Sequence, residues 1–278
     1  MSSGRKILVT GGAGFIGSHL LEALLSRGDD VAALDNFDDF YPSSVKHSNL
    51  QEVSRRGRFR FYEADIRDDA KLREILAAEK PDAVIHLAAR AGVRPSIEQP
   101  ELYTAVNVDG TVNLLSVARD SGVSKFIFIS SSSVYGATAR VPFVEDQYDL
   151  KPLSPYAATK LAGELICYTY SHLFGLRIIC LRLFTVYGPR QRPDLAIHKF
   201  AALMEAGKPV PLFGDGSSSR DYTFVEDTVG GILSALEYQT GFDVFNLGNC
   251  RPVKLVELVR QLEEALGKRA VIEWLPPQ

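Results

Sequence analysis

The chain has 278 residues, of which 46% are apolar and 23% charged, with a formal net charge of −3. Those figures describe one large globular domain, or one and a half, and exclude a strongly basic nucleic-acid binder. No apolar run reaches the roughly 18 residues that a membrane helix needs, so no membrane partner is expected.

The N-terminal Met1-Ser2-Ser3-Gly4-Arg5-Lys6 leads straight into a strand and lacks a signal-peptide core. Cys167, Cys180 and Cys250 are three in number with no CxxC spacing, which predicts reduced thiols in a cytoplasmic protein. The five histidines show no metal-ligand spacing, and no metal is expected; His19 and His86 lie in apolar segments and read as core.

The apolar Ile7-Leu8-Val9 runs into Thr10-Gly11-Gly12-Ala13-Gly14-Phe15-Ile16-Gly17, and an apolar-periodic segment follows to Leu25. That pattern is strand, tight glycine turn, helix. Backbone N–H groups at such a helix start can approach a pyrophosphate, and the helix dipole favours the negative charge. The alternative is a glycine-rich turn with no ligand.

From there strand and helix patterns alternate. Strands are predicted over 6–10, 30–34, 59–64, 83–88 and 125–130, and helices over 15–27, 44–56, 69–79 and 98–121. Nearly continuous apolar strands such as Phe126-Ile127-Phe128-Ile129 imply a parallel sheet covered on both faces. The expected fold is therefore α/β, a doubly wound parallel sheet of the Rossmann type.

Asp35 ends the second strand, 18 residues after Gly17, and no cation follows it until Lys46. A carboxylate there suits an adenosine ribose and repels a 2′-phosphate, favouring NAD over NADP; a turn-initiating aspartate is the structural alternative. Asp65 follows the third strand in the same way, placed for an adenine amino group or, with Asp68, for a helix N-terminus.

The fifth strand runs into Ser130-Ser131-Ser132-Ser133-Val134-Tyr135-Gly136. Continued extended backbone would put Ser131 and Ser133 on one face. Next comes Ser154-Pro155-Tyr156-Ala157-Ala158-Thr159-Lys160. Ser154 suits a helix cap and Pro155 the first turn, so Tyr156 and Lys160 fall at i and i+4 on one helix face. An ammonium beside a phenol favours the phenolate, which makes Tyr156 a candidate general base. A plain surface Tyr–Lys pair is the alternative for these residues alone.

Taken in order on one chain, the glycine turn, Asp35, Asp65, the serine run and Tyr156-x-x-x-Lys160 resemble the extended short-chain dehydrogenase/reductases that act on nucleotide sugars. The resemblance implies tightly bound NAD in a domain over 1–188. Its cofactor residues would be Gly11, Gly14, Phe15, Ile16, Gly17, Asp35, Asn36, Phe37, Asp65, Ile66, Leu87, Ala88, Ala89, Asn107, Ser130, Tyr156, Lys160, Phe184 and Val186. The catalytic set would be Ser131, three residues before Val134-Tyr135-Gly136, with Tyr156, Lys160 and the second hydroxyl Ser133. A smaller substrate lobe over 189–278 would follow, with parts of 223–250 packing back on the first domain. In it, helices are predicted over 196–206, 227–238 and 254–266, and strands over 244–247 and 271–274. A strand over 176–181 precedes the Phe184-Thr185-Val186 segment, which relatives place between nicotinamide and sugar.

Two segments, Arg90-Ala91-Gly92-Val93-Arg94 and Arg192-Pro193-Asp194, resemble the UDP-glucuronate 4-epimerases. There Arg94 and Arg192, with Arg90 contributing, would face the substrate carboxylate; Thr185 and Ser131 would touch the sugar and Arg220 the diphosphate. Gly214 to Ser219 are more similar to the UDP-glucose 4-epimerases, so UDP-glucose and UDP-N-acetylglucosamine stay open as substrates. Ser132-Ser133 stand where 4,6-dehydratases carry Asp-Glu, which argues against elimination chemistry. The expected reaction is 4-epimerisation of a UDP-sugar through a 4-keto intermediate. The expected assembly is a homodimer through the helices over 98–121 and 155–174. A dinucleotide-binding module without catalysis is the alternative from another class, and it commonly lacks the Tyr-x-x-x-Lys pair.

Overall fold

In the computed structural model, residues 4–137 and 140–276 are described; the first three residues, read above as lacking a signal-peptide core, lie outside them. The chain opens with β1 (Lys6–Thr10), α1 (Phe15–Ser26), β2 (Asp30–Asp35), α2 (Ser43–Ser54), β3 (Arg60–Glu63) and α3 (Asp69–Glu79). It continues with β4 (Ala83–His86), α4 (Val93–Glu98), α5 (Pro100–Thr104), α6 (Gly110–Asp120), β5 (Lys125–Ser131), α7 (Pro155–Phe174) and β6 (Arg177–Leu183). Then come β7 (Thr185–Tyr187), α8 (Ala196–Glu205), β8 (Val210–Phe213), β9 (Ser219–Phe224) and α9 (Val225–Glu237). The last elements are β10 (Phe242–Leu247), β11 (Pro252–Lys254), α10 (Leu255–Leu266) and β12 (Ile272–Leu275).

These elements form two compact units, Met1–Leu183 with Glu226–Leu247, and Phe184–Val225 with Gly248–Gln278. The first is built on a seven-stranded sheet in the order β10-β6-β5-β4-β1-β2-β3. Every pairing in it is parallel. Strands of this kind bury both faces, and all seven residues of β5 are buried. One large apolar cluster gathers Leu8, Leu34, Val84, Phe126, Ile178 and Cys180 from the sheet with Leu72, Ile75, Leu114, Leu115 and Cys167 from α3, α6 and α7. Strand order reverses between β1 and β4, which creates a crevice beyond their carboxyl ends.

α7 follows its sequence signals. The Ser154 hydroxyl accepts the Ala157 amide at 3.2 Å, Pro155 fills the first turn, and Gly175 ends the helix in the left-handed region. The helix predicted over 98–121 is broken into pieces. Gln99 precedes Pro100 and leaves the helical region (φ −133°, ψ 51°), separating α4 from α5. A π-turn over Ala105–Asp109 separates α5 from α6, and Asn107 anchors it. Its side chain accepts the Arg90 amide at 2.7 Å and donates to the Arg90 carbonyl and the Thr159 hydroxyl at 3.0 Å each.

The second unit holds a three-stranded sheet, β11-β9-β7, and a parallel pair, β12-β8. Phe200, Met204, Val210, Leu212 and Val259 form its small core. The short β7, β9 and β11 carry no continuous apolar run, and periodicity does not mark them.

Candidate active site

The glycine turn stands at the end of β1, inside the crevice. Gly11 takes φ +72°, and its amide donates to the Leu34 carbonyl of β2 at 2.8 Å. A Cβ on Gly17 would lie 2.2 Å from the Gly11 carbonyl oxygen, so only glycine lets α1 start this close to the turn. The Gly14 position supplies no side-chain cap. The first amides of α1, at Phe15, Ile16 and Gly17, have no carbonyl one turn earlier to bond. That end of α1 suits a pyrophosphate.

Asp35 is buried. Its Oδ1 accepts the Phe37 amide at 2.9 Å and the Lys46 ammonium at 3.2 Å, which leaves Oδ2 for a ribose hydroxyl. Lys46 is a correction to the sequence reading: eleven residues on, α2 returns this cation to the carboxylate. Asn36 donates to Asp65 Oδ2 at 2.9 Å. The Arg67 side chain and amide also bond Asp65, and together with Asn36 they hold its carboxyl down at about 2 despite partial burial. Each Asp65 oxygen therefore already accepts two hydrogen bonds, and an adenine amino group would compete with Arg67 and Asn36. The neighbouring Asp68 is the cap of α3. The Phe37 ring stacks on His47 at 4.3 Å, and Ile66 packs where a Cβ on Gly110 would fall.

Across β1, the Leu87 amide donates to the Thr10 carbonyl and the Ala88 amide to the Thr10 hydroxyl, both at 3.1 Å. Ala89 is half-buried beside them. The Thr111 hydroxyl donates to the Asn107 carbonyl at 2.7 Å, so it receives the proton of His86 Nε2 at 3.0 Å. Nδ1 of His86 is then the acceptor of the Thr10 hydroxyl at 2.7 Å. Burial, and then the charge of Lys160, push His86 down to about 3, so it stays neutral. Asn107 has both amide protons engaged by Arg90 and Thr159, so its role here is to hold the β4 loop and the π-turn together.

Tyr156 and Lys160 occupy successive turns of α7. The edge of Tyr103 meets the Tyr156 ring at 6.3 Å. Lys160 is buried and donates to the Ile129 carbonyl of β5 at 2.7 Å. Burial lowers it to about 8, while the charge of Glu164 pulls the other way.

β5 ends at Ser131. The chain then turns into a 3₁₀ helix over Ser132–Tyr135, so strand alternation does not carry through to Ser133. Instead the Ser131 hydroxyl accepts the Ser133 amide at 3.2 Å. The Ser130 hydroxyl points the other way, to Glu164 at 2.5 Å, which leaves only its backbone for a cofactor.

Arg90 pairs with Asp38, its guanidinium 5.2 Å from the Phe40 ring centroid. Arg94 is exposed on α4. Phe184, Thr185, Val186, Arg192 and Arg220 all belong to the second unit. There Thr185 and Val186 pair with Tyr222 and Thr223. Arg192 is gripped by Asp194 through two bonds of 2.9 Å. Arg220 is exposed and donates to the Ser219 carbonyl at 2.8 Å. Asp221, its sequence neighbour, accepts the Asn249 and Cys250 amides instead.

Sequence reading missed Lys46, the Thr10–His86–Thr111 chain, and Glu164 with Arg182. One signal for Glu164 was present: the four-residue step that pairs Tyr156 with Lys160 reaches Glu164 next.

A doubly wound parallel sheet, a glycine turn at its switch point and Tyr156-x-x-x-Lys160 on the helix after β5 define an extended short-chain dehydrogenase/reductase. The chain belongs to the NAD dependent epimerase/dehydratase family, which it matches over residues 7–248. It is 44% identical over 269 residues to a UDP-glucuronate 4-epimerase of Thermodesulfobacterium geofontis, covering 96% of this chain and 83% of that one. The crystal structure of a UDP-glucuronic acid 4-epimerase from Bacillus cereus, with UDP-glucuronic acid and NAD, superposes with a TM-score of 0.91. That protein is 40% identical, and the match covers 98% of this chain and 86% of that one. A UDP-glucose 4-epimerase from Thermotoga maritima, solved with UDP-glucose, gives a TM-score of 0.90 at 35% identity, covering 98% and 86%. Among the described residues no helix is long and apolar enough to cross a membrane, and no cluster of three or more His, Cys, Asp or Glu could hold a metal ion.

Proposed function

We propose that this protein is an NAD-dependent 4-epimerase that interconverts UDP-glucuronate and UDP-galacturonate. The observation that carries the reading is the joint presence of Tyr156 and Lys160 on α7 with Ser131 at the end of β5, beside the glycine turn and Asp35. The 44% identity to a UDP-glucuronate 4-epimerase supports the substrate.

Gly11 to Gly17 would seat the pyrophosphate of NAD, and Asp35 Oδ2 a ribose hydroxyl. NAD, when bound, supplies the hydride acceptor and donor for carbon 4 of the sugar. Tyr156 takes the proton of the 4-hydroxyl and later returns one to the same oxygen. Ser131 donates a hydrogen bond to that oxygen, and Ser133 offers a second hydroxyl. Lys160 keeps a positive charge one helical turn from Tyr156, which favours the phenolate. Arg94 and Arg192 are the candidates for the uronate carboxylate, and Arg220 for the diphosphate. A 4-keto uronate is a β-keto acid prone to losing CO₂, and a held carboxylate hinders that loss.

Three cysteines free of disulfides accord with a cytoplasmic protein. Exposed Leu165, Tyr168, Leu173 and Phe174 on α7 accord with a homodimer through that helix; sedimentation tests the assembly.

The test of function is separate incubation with UDP-glucuronate, UDP-glucose and UDP-N-acetylglucosamine, followed by chromatographic separation of epimers. UDP-galacturonate is the expected product, and net NADH release without epimer would overturn the reading. Tyr156→Phe should abolish turnover while bound NAD stays.

A further inference from the structure

Glu164 lies one more turn along α7 from Lys160 and is only 4% exposed. Its Oε1 accepts the Ser130 hydroxyl at 2.5 Å and Arg182 Nε at 3.0 Å, and its Oε2 accepts Arg182 Nη2 at 2.8 Å. Arg182 of β6 is the register partner of Ser130. It also donates from Nη1 to the Tyr135 hydroxyl at 3.0 Å, and Tyr135 donates in turn to Asn246 of β10 at 2.8 Å. The Tyr135 ring stacks on Phe143 at 4.5 Å. One buried ion pair thus touches α7, β5, β6 and the 3₁₀ turn, and reaches β10 through Tyr135.

Lys160 and Glu164 bond consecutive residues of β5, the Ile129 carbonyl and the Ser130 hydroxyl. Ser131 is the next residue. Tyr135 fixes the far end of the turn that Ser131 opens. Ser131 is therefore flanked by two residues of this network, Ser130 before it and Tyr135 across the turn it opens. A buried ion pair adds little stability over apolar residues of the same volume, so stability alone is a weak reason for this one. Glu164 also stands at i+4 from the Lys160 ammonium, the spacing of a helical ion pair. Arg182 occupies both Glu164 oxygens and leaves Lys160 to Ile129.

We propose that Glu164, clamped by Arg182, is a positioning residue: through Ser130 it fixes the Ser131 hydroxyl relative to Tyr156, and it is kept from capturing Lys160. The inference rests on the epimerase reading, in which Ser131 and Tyr156 meet one substrate oxygen. A small misplacement of reacting groups costs rate far more than binding.

The test compares wild type, Ser130→Ala and Ser130→Thr on the UDP-sugar that the wild type turns over. Bound NAD, released by denaturation, and thermal stability are measured beside kcat and KM. Ser130→Ala should lose roughly tenfold or more in kcat, with KM within about twofold and NAD content unchanged. Ser130→Thr keeps the hydroxyl and should restore most of kcat. Wild-type kcat in Ser130→Ala, or equal losses in the Ala and Thr variants, would overturn the clamp while the epimerase reading stands. A wild type inactive on every UDP-sugar would overturn both.

Discussion

Lys160 Nζ donates to the main-chain oxygen of Ile129 at 2.7 Å, so the buried ammonium is held by a neutral carbonyl rather than by a carboxylate. With burial as the leading influence, its pKa falls from 10.5 to about 8. The charge that supports Tyr156 is therefore lost as pH rises through about 8. Stability moves the other way in that range. The folded chain sheds this proton before the unfolded chain does, so between about 8 and 10.5 the group adds stability as pH rises. The expected kcat profile has an alkaline fall near pH 8 with no loss of folded protein attributable to Lys160. Lys160→Arg keeps its charge far higher in pH. It should lower the rate but remove that alkaline limb, and a limb that stays in place would assign it to another group.

Asp38 and Arg90 form an ion pair between the loop after β2 and the loop after β4. β1 lies between those two strands, so the pair bridges across the end that carries the glycine turn. Phe40, beneath the Arg90 guanidinium, belongs to the same bridge. Opening it should speed loss of NAD. A charge-assisted hydrogen bond is worth about 1.5–3 kcal/mol, so Asp38→Ala should release NAD roughly tenfold faster or more. The check is cofactor retained through repeated gel filtration, read by absorbance; retention equal to wild type would remove the bridge from cofactor holding.

The centre of the sheet was legible because β4 and β5 are buried on both faces, and the β1–α1 turn because it carries glycine at 11, 14 and 17. The catalytic helix was legible because Ser154-Pro155 is a start signal and Gly175 a stop. Contacts set by tertiary return were not. Lys46 reaches Asp35 only because α2 folds back over the β2 end. Asn107 distorts the predicted long helix because its amide is drawn to Arg90. The turn after Ser131 is invisible in a run of four serines, since each serine tolerates strand and 3₁₀ backbone alike.

His86 predicts acid sensitivity. Its neutral ring bonds Thr10 through Nδ1 and Thr111 through Nε2, and protonating Nδ1 turns an acceptor into a donor against the Thr10 hydroxyl. Its pKa is about 3 in the fold against an ordinary 6.5. Between those values the unfolded chain binds one more proton, so stability falls as pH drops, by about 1.4 kcal/mol per pH unit once well below the unfolded value. Urea unfolding at neutral pH and at a pH well below 6.5 should show this slope in the wild type. His86→Asn should be less stable at neutral pH and lose less on acidification. An unchanged slope would place the acid sensitivity elsewhere.

Arg192 is the sharpest test of substrate. Its guanidinium fork is occupied by Asp194 through Nε and Nη2, both at 2.9 Å. A substrate carboxylate would compete with Asp194 for the same donors, whereas a neutral hexose would not. Arg192→Ala should lower kcat/KM for UDP-glucuronate by about tenfold to a hundredfold, the worth of a charged hydrogen bond. UDP-glucose should change by no more than about twofold. Asp194→Asn removes the competing charge and should lower KM for UDP-glucuronate. Matched steady-state assays of both variants on both substrates decide it. Equal losses on the uronate and the neutral sugar would make the Arg192–Asp194 pair a support of its own loop.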